Sequence, residues 1–310
     1  MRVIFFGTPL FAKIVLEKLM THKDVQLITV VAQPDKELNR KGIPVFQEVK
    51  KFCLENNLSL LQPNKISEIY DTLVDLKPDI IITAAYGQFI PTKIINIPKY
   101  KIVNVHGSLL PKLRGGAPIH RAIMEGESET GITLMHTIKE MDKGNILFQA
   151  KMKILDTTTY HSLNIDLAHL GANLLFDHFN ELCDENLLGT VQNESEVTFG
   201  YNIKKEETVI NFNQKSWNIL RFVNGLYDKP MAIFSFNDYQ IKVHQVNLTT
   251  IKSNLNPGQI YVKNKRLFVA TADYDIELSV IQLPNKKALP VKDILNGSRI
   301  FNDYLVKDEK

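Results

Sequence analysis

Apolar and polar residues alternate in blocks over the first part of this chain. RVIFFG is an almost unbroken apolar run, and FAKIVLEKLM after it repeats apolar residues at spacings of three and four. The same alternation continues through VQLITVVAQ, EVKKFCLENN, the short SLLQP, IYDTLVDLK, PDIIITAAYG and KIVNVHG. Short continuous apolar runs suit strands buried on both faces, and the three-four spacing gives helices with one buried stripe. Strand and helix alternating in this way predict an α/β domain with a mainly parallel sheet covered on both sides. TGITLMHTI and NILFQAKMKI follow as two β-patterned runs joined by KEMDKG. The stripe Leu163, Leu167, Leu170, Leu174 and Leu175 predicts a long helix over 158–183.

The pattern then changes. LLGTVQNESEVTFGYNIKKEE is polar and rich in turn formers, as a linker between domains would be. Beyond it come a short helix over 216–224 and the β-patterned runs AIFSF, YQIKVHQV, GQIYV, RLFVATA and IELSVIQL at hairpin spacing. These predict a small antiparallel β-barrel. A chain of 310 residues exceeds the usual single-domain size, and the expected partition is a first domain over 1–189, a linker over 190–206 and a second domain over 207–310.

Composition narrows the class. Hydrophobic content of 44% and charge of 23% are ordinary for a globular protein. No apolar run approaches the roughly 18 residues that cross a bilayer, so no membrane role is expected. MRVIFFG reads directly as a strand, without the sequence of a secretory leader, and a cytoplasmic location is expected. Cys53 and Cys183 stand far apart with no CxxC partner and are expected as buried free thiols. The net charge is +3, with 16 Lys plus Arg against 13 Asp plus Glu from Thr190 onward, so the whole excess lies in the last part of the chain. That balance is too slight to identify a nucleic-acid protein alone.

In an open parallel sheet, ligands sit outside the carboxyl ends of the strands. That rim collects GTPLFA, QPDKELNRKG, AYGQFIP and NVHGSLLP. GTPLFA has one glycine, short of a dinucleotide fingerprint, and Gly116 is followed by Ala117 and Pro118, not by the Lys and hydroxyl residue of a P-loop. No metal is expected, since the nearest second histidine, His120, lies across a loop from His106 and no cysteine is near. Asn104 and His106, two apart on a strand end, share one face. An amide can donate to a developing oxyanion and an imidazole can move a proton near neutral pH, while Asp142 in KEMDKG offers a carboxylate to the ring. Taken singly, each also reads as a turn former or a packed residue.

The order NVHGSLLP, RGGAP, ETGITLMHTIKEMDKGNIL resembles the formyltransferase family that uses 10-formyltetrahydrofolate. The resemblance implies a Rossmann-like catalytic domain of the formyltransferase fold, a C-terminal OB-like β-barrel, and Asn104, His106 and Asp142 as the catalytic set. It places Ser108, Leu109, Leu110 and Pro111, the signature beside that set, among the residues that bind the folate donor. It also implies a folate cleft lined by backbone groups of Gln88, Phe89, Ile90 and the loop from Ile138 to Met141, with the folate as co-substrate. GTPLFA, AYGQFIP and YNIKKEETVINF resemble the members that act on charged initiator tRNA in translation initiation. This implies initiator methionyl-tRNA as acceptor, met by Arg40 and Lys41 on the rim loop and by Lys204 and Lys205 at the entry to the second domain. Phe11 would wall the methionine pocket, and a monomer is expected. The chain departs from the family pattern in its lysine-poor rim loop, in Asn145 where an acidic residue is usual, and in GLYDKPMA in place of a proline-tryptophan-proline run. A sugar-nucleotide N-formyltransferase would share the donor site and the triad, whereas a non-catalytic RNA-binding module would be expected to lose the triad.

Overall fold

The structure, a computed structural model, describes residues 1–35, 38, 42, 44–237, 239–298 and 300–304. The chain forms two compact units, each discontinuous in sequence. One comprises Met1–Pro118, Glu129–Lys153 and Leu163–Tyr201, the other Ile119–Ser128, Ile154–Ser162 and Asn202–Lys310.

The first unit is built on seven strands: β1 (Arg2–Gly7), β2 (Gln26–Val31), β3 (Leu60–Leu61), β4 (Ile80–Ala84), β5 (Ile102–His106), β6 (Glu129–His136) and β7 (Ile146–Lys153). Their order across the sheet is β3-β2-β1-β4-β5-β6-β7. The first five are parallel, and β6 and β7 add antiparallel to one edge. Burial explains the two sequence styles. Val3 to Phe6 and Ile80 to Ile82 are wholly inaccessible, as continuous apolar strands covered on both faces must be. Edge strand β7, ILFQAKMK, alternates towards its end between half-buried and exposed positions. The helix Leu10–Leu19 buries Phe11, Ala12, Val15, Leu16 and Leu19. The long helix runs over Tyr160–Asp177 and breaks at His178 before the short helix Phe179–Leu182, so the single expected helix is two.

From β1 the chain winds through β2 and β3 to one side, and β4 and β5 lie on the other. The order therefore reverses between β1 and β4, where a crevice opens at the carboxyl ends. Gly7 ends β1 there. A Cβ on it would fall 2.5 Å from Ala12 Cβ and 2.9 Å from the Ala84 carbonyl oxygen, so glycine alone allows this approach of helix and strands. Gly87, after β4, has φ +76, a conformation glycine adopts without penalty.

The polar stretch expected as a linker is, up to Tyr201, part of the first unit. Thr190 exchanges backbone bonds with Ile146 at 2.8 Å in both directions. Leu113 N–H donates to Thr198 Oγ1 at 2.9 Å, Arg114 N–H to the Thr198 carbonyl at 2.9 Å, and Ala117 N–H to the Gly200 carbonyl at 2.8 Å. The polar groups of this segment thus satisfy backbone donors of the 113–117 loop that would otherwise need water.

In the second unit, β8 (Ala232–Phe236), β9 (Tyr239–Leu248), β10 (Ile260–Lys263), β11 (Arg266–Val269) and β12 (Ile276–Gln282) form an antiparallel sheet in the order β10-β11-β12-β9-β8, with β13 (Leu289–Pro290) paired to β12. Among the described residues no pairing joins β8 to β10, so the barrel is a half-barrel. The helix Ser216–Leu226 closes its core, with Ile219, Val223 and Leu226 in one cluster with Ala232, Val243 and Leu278. His120 belongs to this unit. Its ring stacks on Tyr160 at 3.6 Å, and Nδ1 donates to the Gly225 carbonyl at 2.7 Å. Among the described residues no helix is long and apolar enough to cross a membrane.

His136, at the end of β6, is 7% exposed. Burial, and then the charge of Lys101, pulls its imidazole down to about 4. The unfolded ring titrates near about 6.5, so as pH falls the unfolded chain takes the proton first. The stability that depends on a neutral ring is complete above about pH 6.5 and is lost as pH falls towards about 4. His136→Phe is expected to flatten the fall of the thermal midpoint across that window. An unchanged slope refutes the assignment.

Candidate active site

Asn104 and His106 project from β5, and neighbouring strands fix both. Thr83 lies opposite Asn104 in the β4–β5 register, and its hydroxyl donates to Asn104 Oδ1 at 2.8 Å. With the oxygen occupied, the amide NH2 is left to donate to something else. Thr83 is itself 5% exposed, so the bond is shielded from competing water.

The His106 ring is buried. Its Nε2 lies 3.2 Å from the Leu113 carbonyl oxygen, and since a carbonyl only accepts, that nitrogen carries a hydrogen. The other nitrogen, Nδ1, faces Asp142 Oδ1 at 3.7 Å. Asp142 Oδ2 accepts the Gly115 N–H at 2.8 Å. Asp142 has φ 50, in the left-handed region that an aspartate tolerates better than most residues. Gly144 then passes so close to β6 that a Cβ would fall 1.7 Å from the His136 carbonyl oxygen. The β6–β7 hairpin loop is thereby shaped so that its carboxylate reaches a histidine on another strand.

Beside this set, Thr133 of β6 is a hub. Its hydroxyl donates to the Ser108 carbonyl at 2.7 Å and accepts from the Leu110 N–H at 3.1 Å and from Gln149 Nε2 at 2.9 Å. Gln149 also donates to the Leu110 carbonyl at 3.0 Å, and Ser108 Oγ donates to the Lys112 carbonyl at 2.7 Å. Ser108 and Leu110, expected to line the donor cleft, are buried and engaged in holding the loop's shape, while Leu109 and Pro111 are half-buried.

The other expected residues divide in the same way. Gln88 accepts the Ile66 N–H at 2.9 Å and donates to the Pro63 carbonyl at 3.3 Å, so its side chain braces a neighbouring loop. Ile90 packs in the core with Ile4, Phe6 and Tyr86, and Phe11 is buried in its helix. Phe89, Ile138 and Met141 remain exposed apolar side chains, at 66%, 39% and 55%. Lys204 and Lys205 lie exposed in the second unit. Arg40 and Lys41 lie outside the described residues. Thr83, Gly115, Thr133 and Gln149 were not singled out from the sequence. The alternation that predicts strands marks Thr83 and Thr133 only as strand positions, and nothing in it pairs them with Asn104 or Ser108. Among the described residues no group of three or more His, Cys, Asp or Glu could hold a metal ion.

An outward amide donor, an imidazole and a carboxylate in one place can stabilise negative charge on an acyl oxygen while protons move between two nitrogens. Comparison with known proteins identifies the family. Residues 1–178 match the family described as formyl transferase, and residues 202–299 the formyl transferase C-terminal domain. The chain is 56% identical over 300 residues to the methionyl-tRNA formyltransferase of Ureaplasma parvum serovar 3, covering 97% of this chain and 98% of that protein. The N-formyltransferase from Helicobacter canadensis, solved with folinic acid and dTDP-3-aminofucose, is similar at a TM-score of 0.67 and 19% identity, over 89% of this chain and 98% of that one. HypX from Aquifex aeolicus, solved with tetrahydrofolic acid, gives a TM-score of 0.66 at 15% identity, over 99% of this chain and 48% of that one. At such identities the two solved structures speak for the fold alone. The full-length match at 56% identity goes further, and with it the chain belongs to the formyl transferase family, among the methionyl-tRNA formyltransferases.

Proposed function

We propose that this chain transfers the formyl group of 10-formyltetrahydrofolate to the methionine amino group of initiator methionyl-tRNA, with Asn104, His106 and Asp142 carrying the step. The observation that supports it most is the Asn104 amide, turned by Thr83 to leave its NH2 free on the strand end that also carries His106, which Asp142 faces from the β6–β7 loop. The donor supplies an electrophilic carbonyl carbon. Asn104 donates to the oxygen of that carbonyl, on which negative charge gathers as the amine nitrogen bonds to carbon. Such a donor contributes more as the charge grows, and so lowers the barrier. The amine must give up a proton, and the nitrogen that leaves must gain one. His106 passes this proton between them, and the Asp142 carboxylate, 3.7 Å from Nδ1, stabilises the ring while it is positive and helps to draw the proton off the amine.

A flat heteroaromatic donor needs apolar walls and close backbone. The exposed side chains of Phe89, Ile138 and Met141 supply the first, and the crevice beside Gly7 and Gly87 the second. The acceptor is held by basic residues of the second unit, Lys204 and Lys205 among them, and the enzyme works as a cytoplasmic monomer. A sugar-nucleotide acceptor is the competing reading, and behind it stands only a likeness of fold at 19% identity, which does not speak for the acceptor. A formylation assay comparing charged initiator tRNA with a dTDP-linked amino sugar decides between them. Transfer to tRNA alone is expected, and transfer to the amino sugar alone overturns the proposal.

Asn104→Ala is expected to lower kcat by about 10²-fold to 10³-fold, the usual cost of one oxyanion donor. Thr83→Val, which frees the amide to turn, should lower it on the order of 10-fold with little change in KM. Equal rates for Thr83→Val and wild type would show that the amide needs no orientation.

His106→Ala should fold, bind folate nearly as wild type does and lose most of its turnover. His106→Asn and Asp142→Asn should also be slow, because neither amide can move a proton. Single-turnover transfer measured with thermal unfolding checks this, and a stable His106→Ala enzyme of wild-type rate removes the role.

Neutralising Lys204 and Lys205 together with Lys242, exposed on β9 of the same unit, should raise KM for tRNA and flatten its salt dependence, leaving folate affinity unchanged. Unaltered tRNA affinity at every salt concentration rules out the contact.

A further inference from the structure

We infer that Gln192 is a positioning residue of the formyl-transfer site, one that sets the Asp142 loop and the Arg114 loop in register with each other. The inference rests on the role given above to Asp142. Gln192 lies in the polar stretch between the two family matches, which end at residue 178 and begin again at 202. Composition there suggests a solvated linker, yet Gln192 is 5% exposed.

Its side chain is hydrogen-bonded at both ends. Nε2 donates to the Asp142 carbonyl at 2.8 Å and to the Gly144 carbonyl at 2.8 Å. Oε1 accepts from Arg114 Nε at 2.9 Å. Arg114 is 3% exposed, and its Nη2 also pairs with Glu194 Oε1 at 3.0 Å. One amide therefore joins two loops. The first carries the Asp142 carboxylate. The second carries both groups that hold the catalytic pair from the other side: the Leu113 carbonyl that receives His106 Nε2–H, and the Gly115 N–H that donates to Asp142 Oδ2.

The segment is delivered to this place by earlier contacts. Asn145 Nδ2 donates to the Leu188 carbonyl at 2.8 Å, and Thr190 pairs with Ile146. Gly189 has φ +70 and turns the chain there.

The chemistry demands an amide at position 192. The buried Gly144 carbonyl and the part-buried Asp142 carbonyl need two donors, and a guanidinium N–H needs an acceptor, which no other side chain of this length supplies together. A carboxylate of the same shape would keep the acceptor and lose both donors, facing two carbonyl oxygens with negative charge. Asp142 is held at φ 50, a backbone state that persists only when its surroundings fix it. With its carbonyl released, the residue can relax and its carboxylate can leave the imidazole. A displacement of about 1 Å in a reacting group costs on the order of 10²-fold in rate.

The test is a double-mutant cycle on the full-length enzyme with charged initiator tRNA and 10-formyltetrahydrofolate, reading kcat, both KM values and the thermal midpoint. Gln192→Glu is expected to lower kcat about 10-fold to 100-fold and to leave both KM values within about twofold. In an Asp142→Asn background the same substitution should lower kcat by less than about threefold, since no carboxylate remains to be placed. Gln192→Asn keeps the amide on a shorter stem and guards against loss of folding. It should show the same split between kcat and KM and the same loss of effect beside Asp142→Asn. Wild-type kcat in folded Gln192→Glu, or effects that multiply fully with those of Asp142→Asn, overturns the inference while leaving the reading of the site in place. Wild-type turnover in Asp142→Asn alone overturns both.

Discussion

The Asp142 carboxylate is the contact on which the site depends, because its two oxygens face two different parts of the chain. Oδ2 takes the Gly115 N–H and Oδ1 faces the His106 ring. A loop from the β6–β7 hairpin, a loop that follows β5 and a side chain of β5 itself therefore meet at one group. A charged acceptor makes stronger hydrogen bonds than a neutral one and costs more when left unpaired in a buried place. This gives the three segments a reason to stay together that apolar packing alone would not provide.

The sheet makes the meeting possible. Its parallel half brings the carboxyl ends of β1 and β4 to a crevice and places Thr83 beside Asn104. Its antiparallel edge brings Thr133 and Gln149 against the loop after His106. The first half provides the rim on which a ligand can sit, and the second braces the loop that follows His106. Polar side chains on this rim, such as Ser108 and Gln88, hydrogen-bond to neighbouring backbone. Within a rim loop the backbone must also be satisfied, and polar side chains close to the chemistry are drawn into that work.

Two changes of style along the chain have one physical origin. Apolar strands mark positions buried on both faces, while the polar stretch after residue 189 marks a segment whose partners are hydrogen-bonding groups. Polarity in a sequence says that a segment needs polar partners, and it does not say whether water or protein supplies them. Here Thr190, Gln192, Thr198 and Gly200 find them in the first unit.

The sequence by itself determined the α/β alternation and the reversal from helix-bearing to β-rich text, and it singled out Asn104, His106 and Asp142 as candidates. Periodicity is a local property and survives in one dimension, and the signature around residues 104–111 and 129–147 is long enough to carry a family. Tertiary structure alone decided the orientation of the Asn104 amide, the return of the hairpin loop to His106, and the attachment of 190–201 to the first unit. It also decided that Ser108, Leu110, Gln88 and Ile90 brace and pack. Each of these depends on a partner distant in the chain: Thr83 for Asn104, Gly115 for Asp142, Thr133 for Ser108. Hydrogen bonds between segments far apart in sequence leave no periodic trace, because what fixes them is the register in which strands come to lie side by side.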